Sequence, residues 1–175
     1  MITEKVFGQT QDGQTVTLYS ISNENGFQAD VMNYGAILVN LFVPNKRGKV
    51  ADVTLGYDNL KKYFTNSNFF GASVGPIANR TANAVFEIDG TKYQLKVNDG
   101  VNNLHSHKET GYHKQIWASR LSEDGVTFEL SDSDGNMGFP GNKHITVTYR
   151  LEEDYSLPLV YHGISDKKTI LNLTI

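Results

Sequence analysis

The chain has 175 residues, of which 39% are hydrophobic and 20% charged, with a formal net charge of −3; that balance belongs to folded globular proteins and excludes disorder. It contains no cysteine, which excludes disulfides, thiolate metal sites and a cysteine nucleophile. Lysine and arginine are scattered, leaving no cationic stripe for nucleic acid or an anionic membrane, and neither a signal core after Met1 nor a membrane-length apolar run occurs, so the cytoplasm is the expected location.

The texture is that of β-structure: short Val/Ile/Thr/Tyr/Phe stretches broken by Gly, Asn and Asp clusters. Thr15–Ile21 alternates, Asn23–Gly26 supplies a turn, and Phe27–Met32 reads as the returning strand. Ala36–Val43 is the most apolar run, closed by the turn Pro44–Gly48, which combines a fixed φ with a flexible glycine. Tyr57–Phe64 alone has the spacing of a short helix, with Asp58 as its expected N-cap. Val85–Ile88, Asp89-Gly90 and Thr91–Leu95 carry the strongest hairpin signal in the chain. Val126–Leu130 and His144–Arg150 alternate cleanly, and Leu157–His162 and Thr169–Leu173 are the last expected strands, with Pro158 at a strand start or edge. Many short strands at this spacing predict an all-β protein, an antiparallel β-sandwich or a barrel.

Three segments concentrate polar chemistry. Asn102–His113 holds His105, His107 and His113. His-x-His can serve a metal, but a third ligand with an obvious claim is missing, so no metal site is expected; three solvated loop histidines are the plain alternative. Gly71–Arg80 is built of small residues, which suits close backbone approach, and ends in Asn79 and Arg80. Asn79 offers a donor and an acceptor together, the pairing a sugar hydroxyl needs, and Arg80 a rigid fork of donors, although a lone arginine is commonly just a surface residue. Ser131–Asn142 has calcium-like Asp spacing, yet Met137 stands where the loop needs glycine and Lys143 where it needs glutamate, so it reads as a long turn.

Taken in order, these segments resemble the galactose mutarotase (aldose 1-epimerase) family over essentially the whole chain. Asn33-Tyr34-Gly35-Ala36 resembles its "NYGA" strand, and Val43–Val50 and Asp52–Asp58 follow as expected. Phe70–Arg80 is similar to "G…GR.ANR", with Pro76 where arginine is common. Asp89–Leu95, Asn98-Asp99-Gly100 and Asn103-Leu104-His105 resemble "DG..Y.L..N.G.N.LHGG"; Gly138–Asn142 and Asp166–Thr174 match "GYPGN" and "DK.T..NLTNH".

The resemblance implies a large antiparallel β-sandwich (a mutarotase-like supersandwich) of which residues 1–175 form the N-terminal part of one domain. It implies a hexose substrate, galactose or glucose, bound by Asn79, Arg80 and His105, with His105 near the ring oxygen and anomeric centre. A glutamate base would remove the anomeric hydroxyl proton while a histidine acid protonates the ring oxygen; the ring opens, rotates about C1–C2 and closes on the other face. No cofactor is implied. Two departures stand out. Ser106-His107 replaces the glycine pair after the motif histidine. The family's second histidine, its aspartate and its catalytic glutamate lie beyond "NLT", where Thr174 is here followed by Ile175, so the expectation is a truncated chain without activity of its own. Losing a general base costs a factor on the order of a hundred to ten thousand. The alternatives are a non-catalytic carbohydrate-binding β-sandwich and an inert fragment. Open sheet edges further predict a homodimer.

Overall fold

The computed structural model describes all residues from Met1 to Ile175. Five antiparallel strands form the first sheet in sequential order: β1 (Ile2–Gln9), β2 (Thr15–Ser22), β3 (Gln28–Met32), β4 (Ile37–Pro44) and β5 (Val50–Asp52). A short helix, α1 (Leu60–Phe64), follows. Two small ribbons come next, one pairing β6 (Arg80–Thr81) with β9 (Asn103–Leu104), the other β7 (Val85–Ile88) with β8 (Thr91–Gln94). The second large sheet runs β10 (Ala118–Leu121), β11 (Gly125–Asp132), β12 (Lys143–Arg150) and β13 (Leu159–Ser165), again antiparallel throughout. No helix is long and apolar enough to cross a membrane.

Side-chain alternation explains the layering. On β2, Tyr19 and Ile21 face one way and Val16 and Leu18 the other; on β3, Val31 and Met32 divide likewise. Tyr19, Ile21 and Val31 meet Val126, Phe128 and Leu130 of β11 and Ile145, Val147 and Tyr149 of β12, closing the two sheets face to face around Trp117. Val16, Leu18, Met32, Ile37 and Val39 pack instead against Leu60 and Tyr63 of α1. The first sheet is therefore buried on both faces. The second presents Thr127, Glu129, His144, Thr146 and Thr148, none of them in the apolar clusters, on its other face. Each fully buried large apolar side chain contributes roughly 1.5–3 kcal/mol, so these clusters hold the sandwich together. A third cluster of Ile77, Ala84, Leu95 and Phe139 underlies the ribbons.

Local chemistry sets the connections. Asp89 and Gly90 both take positive φ (50° and 81°), as a tight two-residue hairpin with this strand twist requires. In α1 the cap is Asn59 rather than the expected Asp58: the Asn59 side chain accepts from the Lys62 N–H at 3.2 Å. Asp58 lies one residue too early to reach that amide and pairs with the Lys62 ammonium at 3.0 Å instead. Residues 169–173 do not form a strand. They hold a single bridge, Asn172 to Ile77, and a second isolated one follows from Thr174 to Val74.

Candidate functional site

The site is assembled where the Gly71–Arg80 segment meets β9. Gly71 has φ +59° and lies against the Leu38 carbonyl, and Gly75 lies against the Tyr112 ring, so at both places a side chain would collide with a neighbour. This close packing brings Ser73 to Ala78 through the interior, and the segment surfaces at Asn79 and Arg80. From the other side β9 arrives with Leu104 opposite Arg80 and Asn103 opposite Thr81. Asn98 pins that ribbon with its amide: Oδ1 accepts the Leu104 N–H at 2.6 Å, and Nδ2 donates to the Leu104 carbonyl at 2.9 Å.

Asn79 and His105 grip each other. The His105 N–H donates to the Asn79 carbonyl at 3.0 Å, and the Asn79 N–H donates to His105 Nδ1, also at 3.0 Å. An imidazole nitrogen that accepts an amide proton carries none itself, so neutral His105 bears its proton on Nε2. Burial, then the nearby Arg80 guanidinium, lower the His105 pKa from its ordinary value and favour this neutral form. The His105 ring packs at a tilt against Phe69, with centroids 4.7 Å apart, and the ring of His113 packs against the same phenyl group at 4.6 Å. Arg80 donates from Nε to Asp99 Oδ2 at 2.7 Å, and its terminal nitrogens have no protein partner.

The three histidines separate into three environments. His105 is partly buried in the grip just described. His107 Nδ1 accepts from the Thr110 N–H at 3.1 Å and sits 3.3 Å from Glu109 Oε2, which also holds Lys96. His113 is buried; its Nε2–H donates to the Lys108 carbonyl at 3.1 Å, and Nδ1 has no partner. Burial, aided by Lys114, pushes His113 down to about 4. His105 and Ser106 both have positive φ (55° and 59°), which breaks the strand alternation that would have put His105 and His107 on one face. No group of three His, Cys, Asp or Glu side chains lies close enough to hold a metal ion.

Ser106 takes the left-handed conformation its position requires without being glycine, and its hydroxyl accepts from the Ile77 N–H at 2.8 Å and donates to the Ile77 carbonyl at 3.0 Å. Beyond it, Tyr112 anchors the loop to the second sheet: its hydroxyl donates to Asp132, beside the buried ammonium of Lys143. The structure thus brings together all three residues expected at the site: Asn79, Arg80 and His105. It adds Asp99, Phe69, Ser106 and His113. Asp99 stood in the Asn98-Asp99-Gly100 motif, Ser106 in the replaced glycine pair and His113 in the histidine-rich segment, whereas the packing of Phe69 against both histidines is created by tertiary structure. A hollow of about 920 Å³ lies elsewhere, lined by Met1, Asn25 and Glu123 among others. Asn79 and Arg80 form an open shelf.

The profile of one protein family, described as aldose 1-epimerase, matches residues 17–175. An aldose 1-epimerase of Haemophilus influenzae is 40% identical over 164 residues, covering 93% of this chain and 47% of that protein. A galactose mutarotase of Sus scrofa is 34% identical over 174 residues, covering 99% of this chain and 50% of that protein. In shape, the chain is similar to an aldose epimerase homologue from C. elegans, with a TM-score of 0.84 and 30% identity over 89% of this chain and 48% of that one. A galactose 1-epimerase from Lactobacillus acidophilus gives a TM-score of 0.84 at 26% identity, over 99% and 51% respectively. The chain spans about half the length of these relatives. With the profile covering nearly every residue and the antiparallel sandwich superposing on solved relatives, the chain belongs to the aldose 1-epimerase family.

Proposed function

We propose that Asn79, Arg80 and His105 bind a hexose, galactose or glucose, in its pyranose form, as the sugar-holding part of an aldose 1-epimerase. The observation that carries this reading is the mutual Asn79–His105 hydrogen bonding, which leaves one defined donor, His105 Nε2–H, beside the unpaired terminal nitrogens of Arg80. In anomer exchange a base takes the O1 proton, the C1–O5 bond breaks as C1=O1 forms, and O5 gains a proton. A hydrogen bond from His105 Nε2 to O5 strengthens as negative charge develops there. Arg80, held by Asp99, presents its fork to sugar hydroxyls.

The carboxylate that touches the site, Asp99, is engaged with Arg80, and Glu109, farther along the loop, is engaged with Lys96. Residues 1–175 by themselves are accordingly expected to bind hexose without accelerating mutarotation. Calorimetric or NMR titration with galactose and glucose, alongside polarimetry of freshly dissolved α-galactose, tests both halves. Saturable binding that falls about tenfold or more in His105→Ala supports the site, since a tenfold change is about 1.4 kcal/mol, the scale of one good hydrogen bond. Binding unchanged by that substitution, or none in the wild type, defeats it. Acceleration proportional to protein concentration defeats the claim that these residues lack a base.

The second proposal concerns assembly. β13 is the rim of its sheet, and Val160 and Ile164 on it are 54% and 56% exposed. The strand carries no Lys, Asp or Glu to discourage pairing. Antiparallel pairing about His162 would set Val160 of one copy against Ile164 of another, an isologous homodimer.

A further inference from the structure

We infer that Ser106 is a positioning residue for His105, acting through Ile77. The inference rests on the proposed sugar site for its significance, but not for its geometry. Ile77, Ala78 and Asn79 run beside His105 and Ser106, and four hydrogen bonds tie the two segments: both backbone groups of Ile77 to the Ser106 hydroxyl, and the Asn79 N–H and carbonyl to His105. The Ile77 pair lies two residues before the Asn79 N–H that fixes the His105 tautomer. If the Ile77 end is released, the Asn79 amide is held on that side by Asn172, whose carbonyl accepts the Ala78 N–H at 2.8 Å and whose Nδ2 donates to the Ala78 carbonyl at 3.4 Å.

Three features show that the hydroxyl is not incidental. Ser106 is completely buried, a costly place for an unpaired hydroxyl. Both its donor and its acceptor capacity go to one residue 29 positions away. It also sits at φ +59°, a conformation that favours glycine; a non-glycine residue persists in such a region only when its surroundings hold it there. The backbone of Ser106 is tied as well, its carbonyl accepting from Asn103 Nδ2 at 2.6 Å. Phe69 packs against the imidazole with centroids 4.7 Å apart, while the Ser106 latch sets the position of the amide that orients it. His105 Nε2 is thereby aimed by a clamp with two jaws.

The test uses Ser106→Ala and Ser106→Gly, read by nitrogen-15 NMR of the histidine rings and by hexose titration. Glycine suits the positive φ and relieves strain, so the glycine variant stays folded even if the alanine variant does not. Wild type is expected to show His105 in the single Nε2–H tautomer. Both folded variants are expected to show mixed tautomer shifts for His105, faster exchange of its ring N–H, and hexose affinity lower by about tenfold, equivalent to about 1.4 kcal/mol. Unchanged His105 nitrogen signals in the glycine variant overturn the inference, whatever happens to stability, because a merely structural serine would leave the tautomer alone. A wild type that binds no hexose defeats the sugar reading instead, and the His105 signals still decide the latch.

Discussion

Two imidazoles packed against one phenyl ring have different surroundings, which separate what each can do. His105 keeps one nitrogen available at the surface; His113 is shut in, with Nδ1 unpartnered and its pKa pushed down to about 4. The sign of the consequence is fixed by linkage: from the ordinary value of 6.5 down to about 4, the unfolded chain binds a proton at His113 that the folded chain refuses. Stability from this residue is thus fully present above about pH 6.5 and is lost as the pH falls toward 4, by on the order of 3 kcal/mol at most. The lowered His105 pKa acts in the same direction. Urea unfolding at intervals from pH 7 to pH 4 checks this: wild type is expected to lose stability steeply across that window, and His113→Asn to show a shallower slope. The meeting of Asn79, Arg80 and His105 was legible in the sequence because their motifs come in family order; the burial of His113 was not, because nothing local separates a buried histidine from a solvated one.

At the level of elements, glycine chemistry separates sites that look alike in sequence. Gly71 and Gly90 both have positive φ, but a side chain at Gly71 would strike the Leu38 carbonyl, whereas at Gly90 there is nothing within 4 Å. Gly90→Ala is therefore expected to cost about 1 kcal/mol, the conformational term alone. Gly71→Ala is expected to cost more than about 3 kcal/mol by adding a backbone collision. Chemical denaturation of the two variants measures the difference, and equal costs would contradict this packing. The strands divide by burial in the same way. β11 and β12 carry one buried face that writes a period of two into the sequence, while β2 and β4 pack on both faces; all four were legible, β4 as the most apolar run rather than by alternation. β1, β5 and β10 were not: they are sheet rims, mostly exposed, whose side chains need not alternate because no core selects them. The reverse error at Thr169–Leu173 has a related cause. Its apolar residues are needed for packing, as Leu171 and Leu173 against the main core show, while its backbone finds only isolated bridges.

The whole molecule is an antiparallel sandwich whose two sheets differ in exposure, with the candidate site on ribbons beside them. Self-association through β13 belongs to this scale. Sedimentation velocity is expected to show a dimer that dissociates when Val160 and Ile164 are both replaced by lysine, because like charges would then face each other across the paired rims. A wild-type protein that sediments as a monomer at high concentration would remove the proposal. The unequal burial of the two sheets also governs which substitutions the fold can absorb. Along β11 and β12 every second position borders water, so drift toward polar or charged residues is cheap there and forms a stripe. Within β2 and β3 neighbouring positions are packed on opposite sides, one against the partner sheet and the next against the helix, so no such stripe exists. Sequence variation tolerated by this fold should therefore gather on one outer wall, leaving the middle layer nearly silent.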